Sequence, residues 1–480
     1  MVDLLENPDL EPSEMLQFVQ GPDFPTGGVI HGRRGIYDYV TTGRGRVVVR
    51  AKTETEIEDN GRAKIIITEI PYQVNKASLI EKIAALVRGG TIEGISDLRD
   101  ESDRDGMRVV IVLKKDADTR VVENLLFKHT QMQITFGVIM LALVDGRPRI
   151  LTLRQTLEQF IELVDAIHAR GARIFIDIAI NHTGWAAGLH ETHPQWLSRE
   201  PDGQIETPGA WGVVWADLTR LDFSHRDLWQ YMADVFLTWC RLGVDGFRCD
   251  AGYMIPQQAW QYIIAKVRDQ FPDTLFLLEG LGGKITVTRD LLDRANFNWA
   301  YSELFQNYDR AQIEHYLPEA LEISASDGVT LHYAETHDNL RLAARSRSWA
   351  AMRTALCALF APQGAFGFAN GVEWFATEKI NVHESPSLNW GAEINQVAAI
   401  RRLTDLMKHH PCFHDQNHLQ LIQADGGNVA VMLRRHRPTD QHLLVVVNLD
   451  DQTGATASWP SAPPLSPSTV YRDLLTDRDV

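Results

Sequence analysis

Four short segments place ionisable or amide side chains directly after an apolar run: DIAINH (Asp177, Asn181, His182), GFRCD (Arg248, Asp250), LLEG (Glu279) and ETHDN (His337, Asp338, Asn339). If those runs are parallel strands of one barrel, all of these groups point into its C-terminal mouth, where catalytic groups gather. A carboxylate there can act as nucleophile or as general acid or base. For any one taken alone, a helix cap or a loop ion pair is the commoner role. Arg248 stands two residues before Asp250 and so on the same side of a strand, where charge pairing would hold Asp250 ionised. An ordinary structural ion pair leaves the same mark in a sequence.

In order and spacing the four segments together resemble the four signature segments of the alpha-amylase family. The similarity runs from LVDAIHARG at residue 163 to near the C-terminus and includes WADLTRLDF in the loop after the first of these strands. It implies a glycoside hydrolase or transglycosylase acting on alpha-glucans or maltooligosaccharides with retention. By this resemblance Asp250 is the nucleophile, Glu279 the general acid/base and Asp338 the carboxylate that orients the sugar's 2- and 3-hydroxyls. Retaining chemistry needs one ionised carboxylate to form the glycosyl-enzyme ester and one protonated carboxyl to expel the leaving oxygen, about 5–5.5 Å apart. His182 and His337 resemble the two family histidines that hydrogen-bond the sugar in the first subsite. Asp177 resembles a supporting carboxylate behind them, and Asn181 a residue that in some members supports calcium. No other dense oxygen cluster is visible, so no metal and no cofactor is expected. Trp185, Trp211 and Trp215 lie in the long loop, where they suit sugar stacking or core packing equally. EGLGG and AGYMIP are similar to branches near the maltosyltransferases that act on maltose 1-phosphate, which leaves donor and acceptor open.

The elements that must position these groups follow a strand, loop, helix rhythm from about residue 155. RIFIDIAI leads to an irregular loop, then DLWQYMADVFLTWCRLG, VDGFRCD, QAWQYIIAKVRDQF and TLFLLEG. Apolar strands alternating with amphipathic helices imply a parallel sheet covered on both faces. Six candidate strands emerge, at 173–180, 244–249, 274–279, 295–300, 329–334 and 364–369, where a closed barrel of this type needs eight. The first corresponds to the family's third. The fold class expected is therefore α/β, an incomplete (β/α)8 TIM-type barrel over 163–415 with a long loop at 183–223. A truncated C-terminal antiparallel β domain follows over 416–480, carrying LQLIQADGGNVAVMLRRH and HLLVVVNLD. WPSAPPLSPS reads as a loop. An incomplete barrel leaves RIFIDIAI and GAFGFA as unpaired apolar edges, which favour self-association.

Residues 1–162 read as an α+β segment. RVVVRAKTETEIE and AKIIITEIPYQV alternate with period two around Asp59-Asn60-Gly61 and predict a hairpin. The helix NKASLIEKIAALVRGG stops at a glycine pair. MRVVIVLKK forms a strand and TRVVENLLFKHT a helix. GPDFPTGG, TGRGRVVVRAK, EIPYQVNKASLIEKIA, EGISDLRDESDRDGMRVVI and FGVIMLALVDGRPRILTL resemble part of the DNA gyrase A protein of type II topoisomerases. The family's nucleophilic tyrosine lies N-terminal to this stretch. Tyr37, Tyr39 and Tyr72 do not occupy its motif and are expected to pack or hydrogen-bond. Arg33, Arg34, Arg44 and Arg46, with Arg50, lie among glycines, where they would give weak phosphate contacts to DNA or form a solvated face. Together the two resemblances describe a chimera joined within FIELVDA.

The net charge of −16 over 480 residues argues against wholesale binding to nucleic acid or anionic membrane. Residues 1–160 hold 21 Lys and Arg against 24 Asp and Glu, so the remainder carries 13 of those net charges. The cysteines Cys240, Cys249, Cys357 and Cys412 form no CxxC pair and are expected to be reduced. The N-terminus has no secretory pattern, and no apolar run reaches the roughly 18 residues of a membrane span. A cytoplasmic location is the default expectation.

Overall fold

Residues 4, 7, 9–58, 61–103, 106–144, 146–210, 212–326, 328–381, 388–459 and 471–479 are described by the computed structural model. The chain separates into two units, Met1–Gly171 and Ala172–Val480. The division falls beyond the junction read from the sequence because the helix Leu153–His168 packs with the first unit. Leu153 and Leu157 lie against a cluster that includes Ile36, Val40, Val47 and Val49.

In the N-terminal unit the strand expected from RVVVRAKTETEIE is split. Arg44–Arg50 pairs with Gln133–Ile139 in a three-stranded sheet. Lys52–Ile57 pairs with Ala63–Glu69 in a separate four-stranded antiparallel sheet. Alternation alone cannot see this, because the period of two continues through buried Ala51 while the chain changes partners. The hairpin closes between Ile57 and Ala63; Asp59 and Asn60 of its turn lie outside the described residues. The helix Lys76–Arg88 starts at Asn75, whose side chain accepts from the Ser78 amide, and buries Leu79 and Ile83 four residues apart. Each such side chain contributes about 2 kcal/mol. The helix Arg34–Thr42 crosses Arg44–Arg50 at glycines: a Cβ on Gly35 would sit 2.1 Å from the Arg46 carbonyl oxygen. One on Gly45 would sit 2.0 Å from that of Gly35, so neither position admits a side chain.

The C-terminal unit is built on a six-stranded parallel sheet in sequence order: β1 (Phe175–Ala179), β2 (Gly246–Asp250), β3 (Leu275–Leu278), β4 (Trp299–Tyr301), β5 (Val329–Tyr333) and β6 (Phe366–Gly367). All six overlap the stretches read from the sequence but are shorter: β2 and β4 each run one residue further, β4 shares only residues 299 and 300 with its stretch because the preceding helix continues to Ala295, and β6 is two residues long. Helices α1 (Arg226–Arg241), α2 (Gln257–Gln270) and α3 (Ile285–Ala295) alternate with them. α1 buries Leu228, Met232, Ala233, Phe236, Leu237 and Cys240, the helical stripe that faces a sheet. Phe236 meets Phe247 edge-on at 4.7 Å, and Trp260 of α2 meets Phe297 at 5.0 Å, closing an aromatic layer against β2 and β3. β1 pairs only with β2 and β6 only with β5, so among the described residues the sheet is open.

After α4 (Arg310–Ser326), α5 (Arg347–Leu359) and α6 (Val397–His409), the strands β7 (Asn417–Ile422), β8 (Val429–His436) and β9 (Gln441–Asn448) form an antiparallel sheet. Arg434 of β8 is fully buried and donates to the carbonyls of Leu359, Ala361 and Cys412, with its guanidinium 3.9 Å from the Phe413 ring centre. A charged side chain thus satisfies the frayed end of α5 and ties it to the sheet. The long loop is not wholly irregular. His182–Gly184 pairs with Leu218–Arg220, and Gly209–Ala210 with Val213–Val214. The WPSAPPLSPS segment lies outside the described residues except for Trp459.

Candidate active site

Parallel register sets the first contact. Asp177 of β1 is opposite Arg248 of β2, and Ala179 is opposite Asp250, so these side chains share one face of the sheet. Arg248 Nη1 donates to both oxygens of Asp177 at 2.9 Å and to Asp250 Oδ1. Burial works against the guanidinium's charge, but the two carboxylates outweigh it and raise the Arg248 pKa above its ordinary value. The Tyr301 ring of β4 stands 5.8 Å from the guanidinium carbon. Asp177 is 55% exposed at its side chain against 11% for Arg248, because β1 has no neighbour on its outer side among the described residues.

Glu279 follows β3 and is 7% exposed. Its Oε2 accepts from the amide of Ala251, the residue after Asp250, and its Oε1 from the amide of Leu281, at 2.8 and 2.9 Å. Ala251 adopts the left-handed conformation, φ 44°, which is costly for a residue with a Cβ. That strain turns its amide toward Glu279. Burial raises the Glu279 pKa despite Arg248 and the two amides, which favour the ionised form, and Asp250 adds to the rise. Tyr253 lies within electrostatic reach of both carboxylates, and burial first, then their charge, raises its phenol pKa. One carboxyl biased toward protonation therefore stands beside another bound to a cation, the division that acid-assisted displacement requires.

His182 meets the edge of the Trp215 ring at 5.6 Å, and its Nδ1 is buried without a partner among the described residues. Burial lowers its pKa, while Asp250 and Asp217 oppose that shift. Asn181 is 4% exposed, and its amide nitrogen faces the Met254 thioether at 3.2 Å. Its Oδ1, the atom that would ligate calcium, is buried without a partner among the described residues, but a calcium ion needs six to eight oxygens. No group of three or more His, Cys, Asp or Glu among the described residues is placed to hold a metal.

His337 and Asp338 emerge from the C-terminal end of β5, on the same rim as Asp250 and Glu279. His337 Nε2 lies 3.3 Å from Asp338 Oδ2, with side chains 39% and 61% exposed. The Asp338 amide donates to Thr336. The described contacts of Asp338 stay within this turn, so the site unites Asp177, Arg248, Asp250 and Glu279 more tightly than it holds Asp338. Trp185 is 47% exposed and donates to the Ala216 carbonyl; Trp211 lies outside the described residues. Sequence reasoning did not single out Tyr253 or Tyr301. A polar aromatic at the end of NWAY, directly after an apolar run, was the signal available for Tyr301.

In the N-terminal unit Arg33, Arg34, Arg44 and Arg46 are all exposed. Arg44 and Arg46 alternate with buried Gly45 and Val47. Arg50 instead donates to Gln133 and stacks 4.7 Å over Phe127, a packing role. Tyr39 is 6% exposed, Tyr72 packs near Phe24 and Phe136, and Tyr37 is 46% exposed.

Residues 1–192 match the family model of the DNA gyrase/topoisomerase IV A protein. The chain is 56% identical over 167 residues to the DNA gyrase A protein of Clostridium acetobutylicum, covering 35% of this chain and 20% of that protein. Against the gyrase A protein of Pseudomonas aeruginosa it is 55% identical over 160 residues, covering 33% and 17%. Against the chloroplastic/mitochondrial gyrase A protein of Arabidopsis thaliana it is 50% identical over 172 residues, covering 35% and 18%. The chain thus spans about a fifth of the length of these relatives. Among solved structures, an alpha-amylase from Lactobacillus plantarum aligns with a TM-score of 0.51 at 24% identity, over 67% of this chain and 77% of that one. The 171 residues of the N-terminal unit cannot supply that share, so the likeness of fold extends through much of the C-terminal unit. A gyrase-A-like segment and an amylase-like fold are joined in one chain.

Proposed function

We propose that the C-terminal unit is a retaining glycosidase or transglycosidase acting on alpha-glucans or maltooligosaccharides, with Asp250 as nucleophile and Glu279 as acid/base. The observation that carries this reading is the unequal treatment of the two carboxyls. Arg248 binds Asp250, whereas Glu279 is buried with its pKa raised. In the first step Asp250 attacks the anomeric carbon as Glu279 protonates the departing oxygen. In the second, ionised Glu279 takes a proton from water or an acceptor hydroxyl, which displaces Asp250. His182, within electrostatic reach of Asp250, would meet a sugar hydroxyl through its other ring nitrogen, and His337 and Asp338 would order around the same ring. The test is maltooligosaccharide cleavage by the full chain and by Asp250→Asn. The variant should lose at least about a thousandfold in rate, and equal rates would refute the assignment.

The N-terminal unit supports a second reading, because its match is to part of a DNA enzyme and four arginines stand free of burial. It would hold DNA weakly through phosphate contacts. Retention on duplex DNA that falls steeply with salt is the expected behaviour, and salt-independent retention or none would refute it.

A further inference from the structure

We infer that Trp390 is a stacking platform for a sugar ring of the glucan beyond the one being cleaved, an inference that rests on the glycoside reading above. The rim that carries Asp338 is physically coupled to the segment that presents this tryptophan. Glu335, three residues before Asp338, is 4% exposed and pairs with the fully buried Arg341 side chain at 2.7 Å. Arg341 Nη2 donates at 2.8 Å to the Asn370 carbonyl, in the loop that leaves β6. Gly371 is the point of convergence. Its φ is +91°, and a Cβ there would stand 2.9 Å from Arg341 Nη2, 2.9 Å from Ala376 Cβ and 3.2 Å from the Leu388 carbonyl oxygen. Three stretches of chain, around 335–341, 371–376 and 388–390, therefore meet without room for a side chain.

From that anchor two tight turns project. In one, the Ala376 amide donates to the Gly371 carbonyl while Phe375 is held at φ 53°, a conformation a bulky residue adopts only under constraint. In the other, the Ala392 amide donates to the Asn389 carbonyl, with Asn389 at φ 55° and Gly391 at φ 77°. The Asn389 side-chain Nδ2 donates to the Trp374 carbonyl at 2.7 Å and ties the turns together. Trp390 sits at the tip of the second turn. It is 76% exposed, and its ring centre is 5.6 Å from that of Trp374 at 44°.

The turns that display this large apolar ring are cross-braced before any ligand arrives. A tryptophan has only two side-chain torsions to immobilise, so little entropy is lost on contact. One broad face, on a segment braced through Gly371 and Arg341 to the stretch that carries Asp338, matches the apolar face of a pyranose, whose hydroxyls stay in water around the ring's edge. The occupant inferred is thus a glucose unit of a maltooligosaccharide rather than an apolar protein partner.

The experiment measures maltoheptaose binding to the full chain carrying Asp250→Asn, which prevents turnover, by calorimetry and by tryptophan fluorescence. Adding Trp390→Ala should weaken affinity about tenfold, an effect of about 1.4 kcal/mol, and remove most of the fluorescence change. Trp390→Phe, which keeps a smaller ring, should fall between, and its melting temperature controls for a folding defect in the alanine variant. Binding of undiminished affinity in Trp390→Ala would overturn the platform and leave the glycoside reading standing. Absence of maltoheptaose binding in every form would overturn both.

Discussion

The two carboxyls of the site differ in surroundings, and that difference has a measurable consequence. Burial raises the pKa of Glu279, so its protonated fraction persists to higher pH than for an exposed carboxyl. The acid must be protonated when the leaving oxygen departs, so the rate of the first step should fall as pH rises through the Glu279 value. That alkaline limb should be visible in kcat/KM on maltooligosaccharides and lie above the ordinary glutamate range. Glu279→Gln should cost about 10²- to 10⁴-fold on the same substrates. It should spare formation of the glycosyl-enzyme from alpha-glucosyl fluoride, whose leaving group needs no proton. Equal losses on both substrates would remove Glu279 from the role of acid.

Between elements, the buried side chains of His332 on β5 and Arg434 on β8 lie within electrostatic reach of each other. His332 of β5 is fully buried, with neither ring nitrogen partnered among the described residues. Burial, reinforced by the positive charge of Arg434, pushes its pKa down to about 3. The folded chain therefore refuses a proton that the unfolded chain accepts below about pH 6.5. Stability from this source is complete above that value and is lost as pH falls toward 3, at up to about 1.4 kcal/mol per pH unit. His332→Leu removes the titration and keeps an apolar side chain of similar size. Its melting temperature should drop less than the parent's between pH 7 and pH 4.5, and an identical drop would show that acid lability arises elsewhere. Arg434 itself is pushed down to about 9 by burial, yet its carbonyl partners hold the end of α5.

For the whole molecule, the open sheet governs behaviour. Among the described residues β1 and β6 each leave one row of backbone groups without a strand partner, and β1 contains no proline to block pairing. The length of β6, two residues, limits that edge. β1, at five residues, is the more competent to recruit a strand. We expect residues 172–480 expressed alone to associate as concentration rises and to hydrolyse maltooligosaccharides slowly. Size-exclusion chromatography with light scattering checks the first expectation and steady-state kinetics the second. A monomer that melts cooperatively and turns over at about 1 to 1000 per second would show that six strands suffice. Among the described residues no helix is long and apolar enough to cross a membrane.

The strands and the order of the parallel sheet were legible in the sequence because apolar runs alternate with amphipathic helices and four of the six runs lead into a short polar signature. GFRCD and LLEG locate β2 and β3 by residue type alone, and a spacing of two places Arg248 beside Asp250. The split at Ala51 was not legible, since alternation continues while the pairing partner changes. Nor was the burial that separates Glu279 from Asp250. That depends on the amide of left-handed Ala251 and on helices packed over β3, which are contacts between residues distant along the chain. Trp390 carries no local mark distinguishing it from the other tryptophans. Its display depends on Gly371, where three stretches converge, and only folding brings them together. Residue type and period thus determined which groups stand at the rim. Tertiary structure decided their protonation, exposure and constraint, because desolvation and packing are properties of neighbourhoods in space.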